Sequence, residues 1–450
     1  MDDMLYDLPD GFHRTERLAA LLSGEARLRR MLDVEVALAR AEARVGLITP
    51  EAADDIAAAA ARVVADIPSM ARASALGGVI TLPVVAALRE AASDRAAKVV
   101  HLGATSQDII DTAVVLQVRD ALQVLQEDLD GAAHAVARLA EDHRATPMAG
   151  RTLLQQAVPV TFGLKAAGWL SSLTQLRRNL EQVRSEVLVL QFGGAAGTLA
   201  SLGDAGLAVT DALGEELDLA VPALPWHGDR TRIGLLAGWL ATSSGALSKI
   251  ANDLILLMQH EVGEAYESSG DGKGRSSAMP HKRNPVETLA IRMSGHLARG
   301  RTSTLFTAME QEHERAVGGW QAEWTALPDA IHLVGSMLER TRSTFIGLRV
   351  DPERMRENLE STLGLPLAEA LSMALGRELG APSAYRIVSA LTEQASASRQ
   401  HLREVASRDE QVLAVMTPAE IERTLAPEAW LGSSDAYIDR ALEAWHHADR

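Results

Sequence analysis

Residues 274–285 read Gly-Arg-Ser-Ser-Ala-Met-Pro-His-Lys-Arg-Asn-Pro, and they concentrate more chemistry than any other stretch of the chain. Ser276 and Ser277 bring hydroxyls, Lys282 an ammonium group, Asn284 an amide, and Arg275 and Arg283 fixed cations. Almost nothing in the run is apolar. A helix here would have no seam to bury, and the glycine and prolines break any period. The run is therefore expected as a loop whose hydroxyls and cations face something anionic. A solvated basic linker is the plainer alternative.

Three further polar islands carry the same kind of side chain. The first, His101-Leu102-Gly103-Ala104-Thr105-Ser106-Gln107-Asp108, runs into Ile109-Ile110-Asp111-Thr112. Thr105 and Ser106 could be turn residues, with Asp108 or Asp111 capping a following helix. Hydroxyls and backbone N–H groups at a helix start also make a carboxylate cradle, so both roles can coexist. The second island spans Gly150 to Pro159 and holds Arg151, Thr152, Gln155 and Gln156. The third pairs Pro225-Trp226-His227-Gly228-Asp229-Arg230-Thr231-Arg232 with the segment from Gln311 through Arg315 to Trp320. Tryptophan beside arginine is equally consistent with ordinary cation–π packing.

These islands need rods to hold them. From Val115, the residues Val118, Leu122, Leu125, Leu129, Ala132, Val136 and Leu139 recur by threes and fours. A second such seam starts near Leu164 and runs through Trp169, Leu173, Leu176, Leu180, Val183 and Val187 to Leu190. A third, from about Gly234 to Val262, carries Leu240, Leu247, Ile250, Leu254, Leu257 and Met258. Each predicts a long amphipathic helix, and strand-like alternation is nearly absent, so the fold class is all-α. Breaks at Gly77-Gly78 and Pro83, and again at Asp351-Pro352, Gly364, Gly380 and Pro382, suggest three parts. They are a small helical domain over 1–111, a long-helix bundle over 112–350 and a small helical domain over 351–450. The third helix is apolar around much of its girth, as the centre of one bundle or a packing face between copies would be.

Bulk properties narrow the classes of function. The 450 residues carry 44 Lys+Arg against 60 Asp+Glu, a net charge of −16, which argues against nucleic acid or anionic membranes as partners. No run of 18 or more apolar residues predicts a membrane span, and the acidic Met1-Asp2-Asp3-Met4 start is unlike a signal peptide. With no cysteine there is no disulfide and no thiolate chemistry, which fits a reducing cytoplasm. His134, His143, His260, His296 and His332 fall in helical stretches without a His-Glu-x-x-His context, so no catalytic metal is expected. Gly193-Gly194-Ala195-Ala196-Gly197 does not follow a strand, so a dinucleotide site is not expected either. A small anion remains the natural partner, gathered by local cations inside an acidic molecule.

The 274–285 run resembles the signature loop of the fumarase/aspartase superfamily, Gly-Ser-Ser-x-Met-Pro-x-Lys-x-Asn-Pro. It departs only at Arg275, where the family has glycine. The first island is similar to the family's Thr-Ser-x-Asp-x-x-Asp-Thr segment, whose Thr-Ser pair binds a substrate carboxylate. In the superfamily's lyases the second island reads Thr-His-x-Gln, and its histidine handles the leaving group's proton. Leu153 stands in that place here, which resembles the cycloisomerase branch. The Glu312-His313-Glu314-Arg315-Ala316-Val317-Gly318-Gly319-Trp320 segment resembles that branch too. The Trp226–Arg232 segment resembles it with departures at Gly228, Asp229 and Thr231.

The resemblance implies a homotetramer whose long helices form a shared core and whose sites each draw residues from three subunits. It implies a cofactor-free reaction that closes a 3-substituted cis,cis-muconate to its lactone. The substrate's own ionised carboxylate is the nucleophile, and no leaving group needs a proton. Ser276 and Lys282 are then the expected catalytic residues. His101, Thr105, Ser106, Gln155, Arg230, Ser277, Asn284 and Arg315 are the expected substrate contacts. The main alternative is a fumarate-releasing lyase such as adenylosuccinate lyase, against which Leu153 speaks. A non-catalytic helical scaffold is the third reading, against which retention of Ser276, Lys282, Asn284, Thr105 and Ser106 speaks.

Overall fold

The computed structural model describes residues 8–268 and 272–448. Besides the Gly24–Val45 helix, five long helices dominate the described residues: Ser106–Asp142, Phe162–Val187, Thr231–Met258, Val286–Thr307 and Gly319–Ile346. The seams read in the sequence are their buried stripes. Leu122, Leu125, Leu129 and Val136 are fully enclosed on the first, Leu173 and Leu180 on the second, Leu240 and Leu247 on the third. The second seam outlasts its helix, and Leu190 is buried in the loop beyond Val187. The fold is all-α with minor strands, and among the described residues no helix is long and apolar enough to cross a membrane.

The chain divides into two compact units. The first comprises 1–128, 176–247 and 290–339, and the second 129–175, 248–289 and 340–450. The dividing points fall inside the five long helices, so each of these helices supplies a segment to both units.

In the first unit the Gly24–Val45 helix is opened by Ser23, whose Oγ accepts the Ala26 N–H at 3.0 Å. It closes at Gly46, whose φ of 86° a side chain would resist. Its buried face, Leu28, Met31, Leu32, Leu38 and Ala39, also holds two carboxylic acids, Glu35 and Glu42. The Gly319–Ile346 helix contains Pro328, which has no N–H for the carbonyl of Trp324 one turn back. Arg27 fills that vacancy, its Nη2 donating to the Trp324 carbonyl at 3.0 Å, although burial pulls this guanidinium below its ordinary range.

The second unit holds the one feature that departs from helical expectation near a polar island. Residues of the Gly150–Pro159 island form an antiparallel hairpin, β1 (Pro147–Thr152) and β2 (Gln155–Thr161), with Thr152 paired to Gln155. Its two-residue turn is Leu153-Leu154, both left-handed with φ of 52° and 64°. That is the backbone of a tight hairpin turn which normally selects Asn-Gly. Arg151 anchors the hairpin through two bonds to the fully buried Glu264, at 2.8 and 2.6 Å, and Asn358 Nδ2 donates to the same carboxylate at 2.8 Å. Ala265–Tyr266 and Arg349–Val350 form a second short pair, β3 and β4. Phe162, Trp169 and Phe345 stack in sequence. Leu371, Leu375, Ala384, Leu391 and Leu402 centre a separate C-terminal cluster. The break at Asp351-Pro352 opens the Pro352–Glu360 helix, with Asp351 accepting the Arg354 N–H.

Candidate active site

In the first unit the Ser106–Asp142 helix starts on the Thr105-Ser106 pair. Asp108 explains why the chain turns there. Its Oδ2 accepts the N–H groups of Thr105 (3.0 Å) and Gly194 (2.9 Å), and its Oδ1 accepts Gly193 N–H (3.0 Å) and meets His227 Nε2 at 2.7 Å. A carboxylate with this many donors is fully satisfied although only 1% exposed. Gly194, at φ 68°, lies so close to the Gly103 carbonyl that a Cβ would sit 3.0 Å from it. The glycine run that failed as a dinucleotide loop thus wraps the acid behind the Thr-Ser turn.

One helical turn on, Asp111 belongs to a different network. It accepts Arg230 Nη1 at 2.8 Å, Arg230 Nη2 at 3.3 Å and Trp320 Nε1 at 2.9 Å. Arg230 also binds Glu323 through Nε at 3.0 Å and through Nη2, and lies 4.8 Å over the Trp226 ring. Burial alone would make this guanidinium easier to deprotonate, but Asp111 and Glu323 outweigh it and raise its pKa. Burial pushes the Glu323 carboxyl up despite its cation. Arg230 is 3% exposed with every guanidinium nitrogen engaged. Arg230, expected as a substrate contact, thus has its charge met by two acids distant in sequence.

Arg315 is placed otherwise. It is half-buried, donating from Nη1 to Gln107 Oε1 at 3.2 Å and from Nη2 to the Ala195 carbonyl at 2.8 Å. Gln107 follows the Thr-Ser pair directly, so Arg315, Thr105 and Ser106 share one neighbourhood. His101, with a left-handed φ of 65°, completes the island, its Nδ1 2.6 Å from Glu35 Oε1.

In the second unit the 274–285 run is an exposed loop pinched at its neck. Asn284 N–H donates to the Gly274 carbonyl at 2.8 Å, and Arg275 and Arg283 form a backbone bridge. Gly274 takes φ 64°, and a Cβ there would lie 2.5 Å from the Asn284 carbonyl oxygen, so a side chain is excluded. Arg275 carries no positive φ, so its side chain imposes no left-handed strain on the loop. Ser276 Oγ accepts N–H groups from Met279 (3.0 Å) and Ala278 (3.3 Å), while Lys282 is exposed. After the loop, Glu267 caps the Val286–Thr307 helix by accepting the N–H groups of Glu287 (3.1 Å) and Thr288 (2.8 Å). Gln155 is exposed at the start of β2, beside a turn whose Leu153 is 97% and Leu154 78% exposed. The expected site residues thus fall five and five. His101, Thr105, Ser106, Arg230 and Arg315 lie in the first unit, and Gln155, Ser276, Ser277, Lys282 and Asn284 in the second.

Long helices, a Thr-Ser helix start backed by a buried acid, and a Ser-Lys-Asn loop pinched at glycine together define a lyase-type scaffold. The chain belongs to the lyase family of the fumarase/aspartase superfamily: the pattern of the family described as Lyase matches residues 13–300, and that of the adenylosuccinate lyase C-terminus matches 364–441. It is 46% identical to the 3-carboxy-cis,cis-muconate cycloisomerase of Pseudomonas aeruginosa, over 98% of this chain and 96% of that one. It is 44% identical to the enzyme of the same name from Bradyrhizobium diazoefficiens, over 95% of each chain. The crystal structure of the 3-carboxy-cis,cis-muconate lactonizing enzyme from Pseudomonas putida superposes with a TM-score of 0.94 at 41% identity, covering 99% of this chain and all of that one.

Several supporting residues escaped the sequence reading. His227 lay in a polar island but its pairing with Asp108 was not legible, and Gln191, which accepts the Trp226 N–H at 2.7 Å, and Glu323 were invisible because their partners lie far along the chain. Glu35 and Glu42 left a signal: they fall on the same spacing as Leu28, Met31, Leu32, Leu38 and Ala39, where an amphipathic helix should be apolar.

Proposed function

We propose that this chain lactonizes 3-carboxy-cis,cis-muconate, or a 3-substituted analogue such as the sulfonate, in the catabolism of aromatic acids. The observation that carries this reading is Leu153 at the tip of the β1–β2 hairpin, where the superfamily's lyases need a histidine for their leaving group. Full-length likeness to cycloisomerases at 46% and 44% identity supports it over the fumarate-releasing alternative.

The reaction needs few protein groups. A carboxylate oxygen of the substrate adds to one carbon of a conjugated double bond, forming one C–O bond. The π pair moves toward the neighbouring carboxylate as an enolate, and a proton added at carbon completes the lactone. Thr105, Ser106 and Arg315 hold carboxylates against the alkene, with His101, Gln155, Ser277 and Asn284 as further polar contacts. Lys282 offsets the enolate charge. Ser276 handles the carbon-bound proton. Its Oγ accepts two backbone N–H groups, which favours the negative oxygen left when the hydroxyl gives up its proton.

Because the residues lie on separate segments, we read the site as assembled in a homotetramer from several chains. A net charge of −16 and the absence of cysteine support a cytoplasmic enzyme that does not bind nucleic acid. We keep 1–111, 112–350 and 351–450 as the proposed domains. Mixing the protein with 3-carboxymuconate should remove the diene's ultraviolet band. Fumarate appearing from adenylosuccinate instead would overturn the reading.

A further inference from the structure

The Thr105-Ser106 island contains an imidazole that is already held in place. His101 Nδ1 lies 2.6 Å from Oε1 of Glu35, whose side chain is 1% exposed, while the ring keeps 16% exposure. Among the described residues, Nε2 has no hydrogen-bond partner. A carboxylate only accepts, so the shared proton sits on Nδ1 and the other nitrogen is turned away from the acid. The left-handed φ of 65° at His101 shows that the backbone is bent to allow this, a conformation costly for a side-chain-bearing residue.

The acid's surroundings point the same way. Glu42 lies two helical turns beyond Glu35, 1% exposed, with Oε1 unpartnered. Burial first, and Glu35 second, push the Glu42 carboxyl up to about 8, so near neutral pH it is largely uncharged. Of the two acids on this buried face, Glu35 is the one that meets His101. Arg89, which reaches the same turn, is occupied with the Val100 carbonyl at 3.1 Å. With Arg230 committed to Asp111 and Glu323, a trianionic substrate lacks one of its expected cations.

We propose that Glu35 is a positioning residue for lactonization, holding His101 by Nδ1–H so that Nε2 is presented to the anionic substrate at Thr105-Ser106. When the ring carries both protons, Glu35 takes one and leaves Nε2–H for a substrate carboxylate. The proposal rests on the functional reading above. It makes Glu35 act only through His101, whereas a merely structural acid would matter whether or not the imidazole is present.

A double-mutant cycle on the full-length protein tests this. Glu35→Met, which removes the acceptor, should lower kcat/KM on 3-carboxymuconate by about 100-fold, and Glu35→Gln, which keeps an acceptor, by about tenfold. In a His101→Ala background neither change should cost anything further. Wild-type turnover in either single variant, or a loss that persists in full without His101, overturns the proposal. If Glu35→Met does not fold, the Glu35→Gln cycle decides alone. A substrate-free readout separates this idea from the functional one: ¹⁵N-histidine NMR, assigned with His101→Ala, should show Nδ1–H in the wild type and Nε2–H in Glu35→Met. A protein inert toward 3-carboxymuconate that shows this tautomer switch would sink the lactonization role and leave the pairing standing. A wild-type ring that carries Nε2–H without Nδ1–H would sink the pairing.

Discussion

Arg230 and Arg315 look equivalent in sequence, each an arginine near a tryptophan in a polar segment, yet the fold separates their roles. Arg230 saturates Asp111 and Glu323 in a site that water hardly reaches, whereas among the described residues Arg315 holds a glutamine amide oxygen and a carbonyl and pairs with no acid. Removing the first strands two buried acids, a loss of about 3–5 kcal/mol. Arg230→Met should therefore melt well below wild type, while Arg315→Met should keep its Tm and raise KM. Ser276→Ala, in an exposed loop, should also keep its Tm and lose about 100-fold or more in kcat. Thermal melts with steady-state kinetics on the three variants check this. An Arg230→Met protein with unchanged Tm and a raised KM would return Arg230 to the substrate. The sequence could not separate the two arginines, because Asp111 and Glu323 lie 119 and 93 residues from Arg230.

At the scale of elements, the long helices were legible because a seam such as Leu122-Leu125-Leu129 leaves few other ways to bury itself. The Ser-Lys-Asn loop was legible as a loop for the converse reason, and its neck at Gly274 follows from a φ that glycine tolerates. The hairpin was not legible, since its turn is Leu-Leu where a reader looks for Asn-Gly. Two leucines at positive φ, nearly fully exposed, cost both strain and hydration. Apolar surface covering the tip would offset the hydration cost. Replacing it by the turn-favouring pair, Leu153→Asn with Leu154→Gly, should relieve strain by about 1 kcal/mol or more in the isolated turn. We nevertheless expect kcat/KM to fall at least tenfold, because the apolar tip is lost. Circular dichroism melts and turnover measured together decide it. A higher Tm with undiminished turnover would reduce the tip to a turn.

For the whole molecule, the decisive question is which chains share a site. Leu289, Leu297 and Phe306 on one helix stay 47%, 48% and 45% exposed, and Leu235 on another 48%. Closed association would cover them, and four copies of the 48.1 kDa chain should sediment as one species. Thr105 and Ser276 lie in different units of the chain, and whether different chains supply them to one site can be tested genetically. Ser276→Ala and Thr105→Ala should each be nearly inactive alone. If every site takes its serine from one chain and its threonine from another, random mixing of the two variants in equal amounts gives each site an even chance of an intact serine. The chance of an intact threonine is independent and also even, so about a quarter of the sites should be whole. Coexpression with two affinity tags, tandem purification and turnover on 3-carboxymuconate measures that fraction. Sites built from a single chain could never be repaired by mixing, so activity no higher than that of the separate variants would defeat the shared-site arrangement even if the tetramer itself is found.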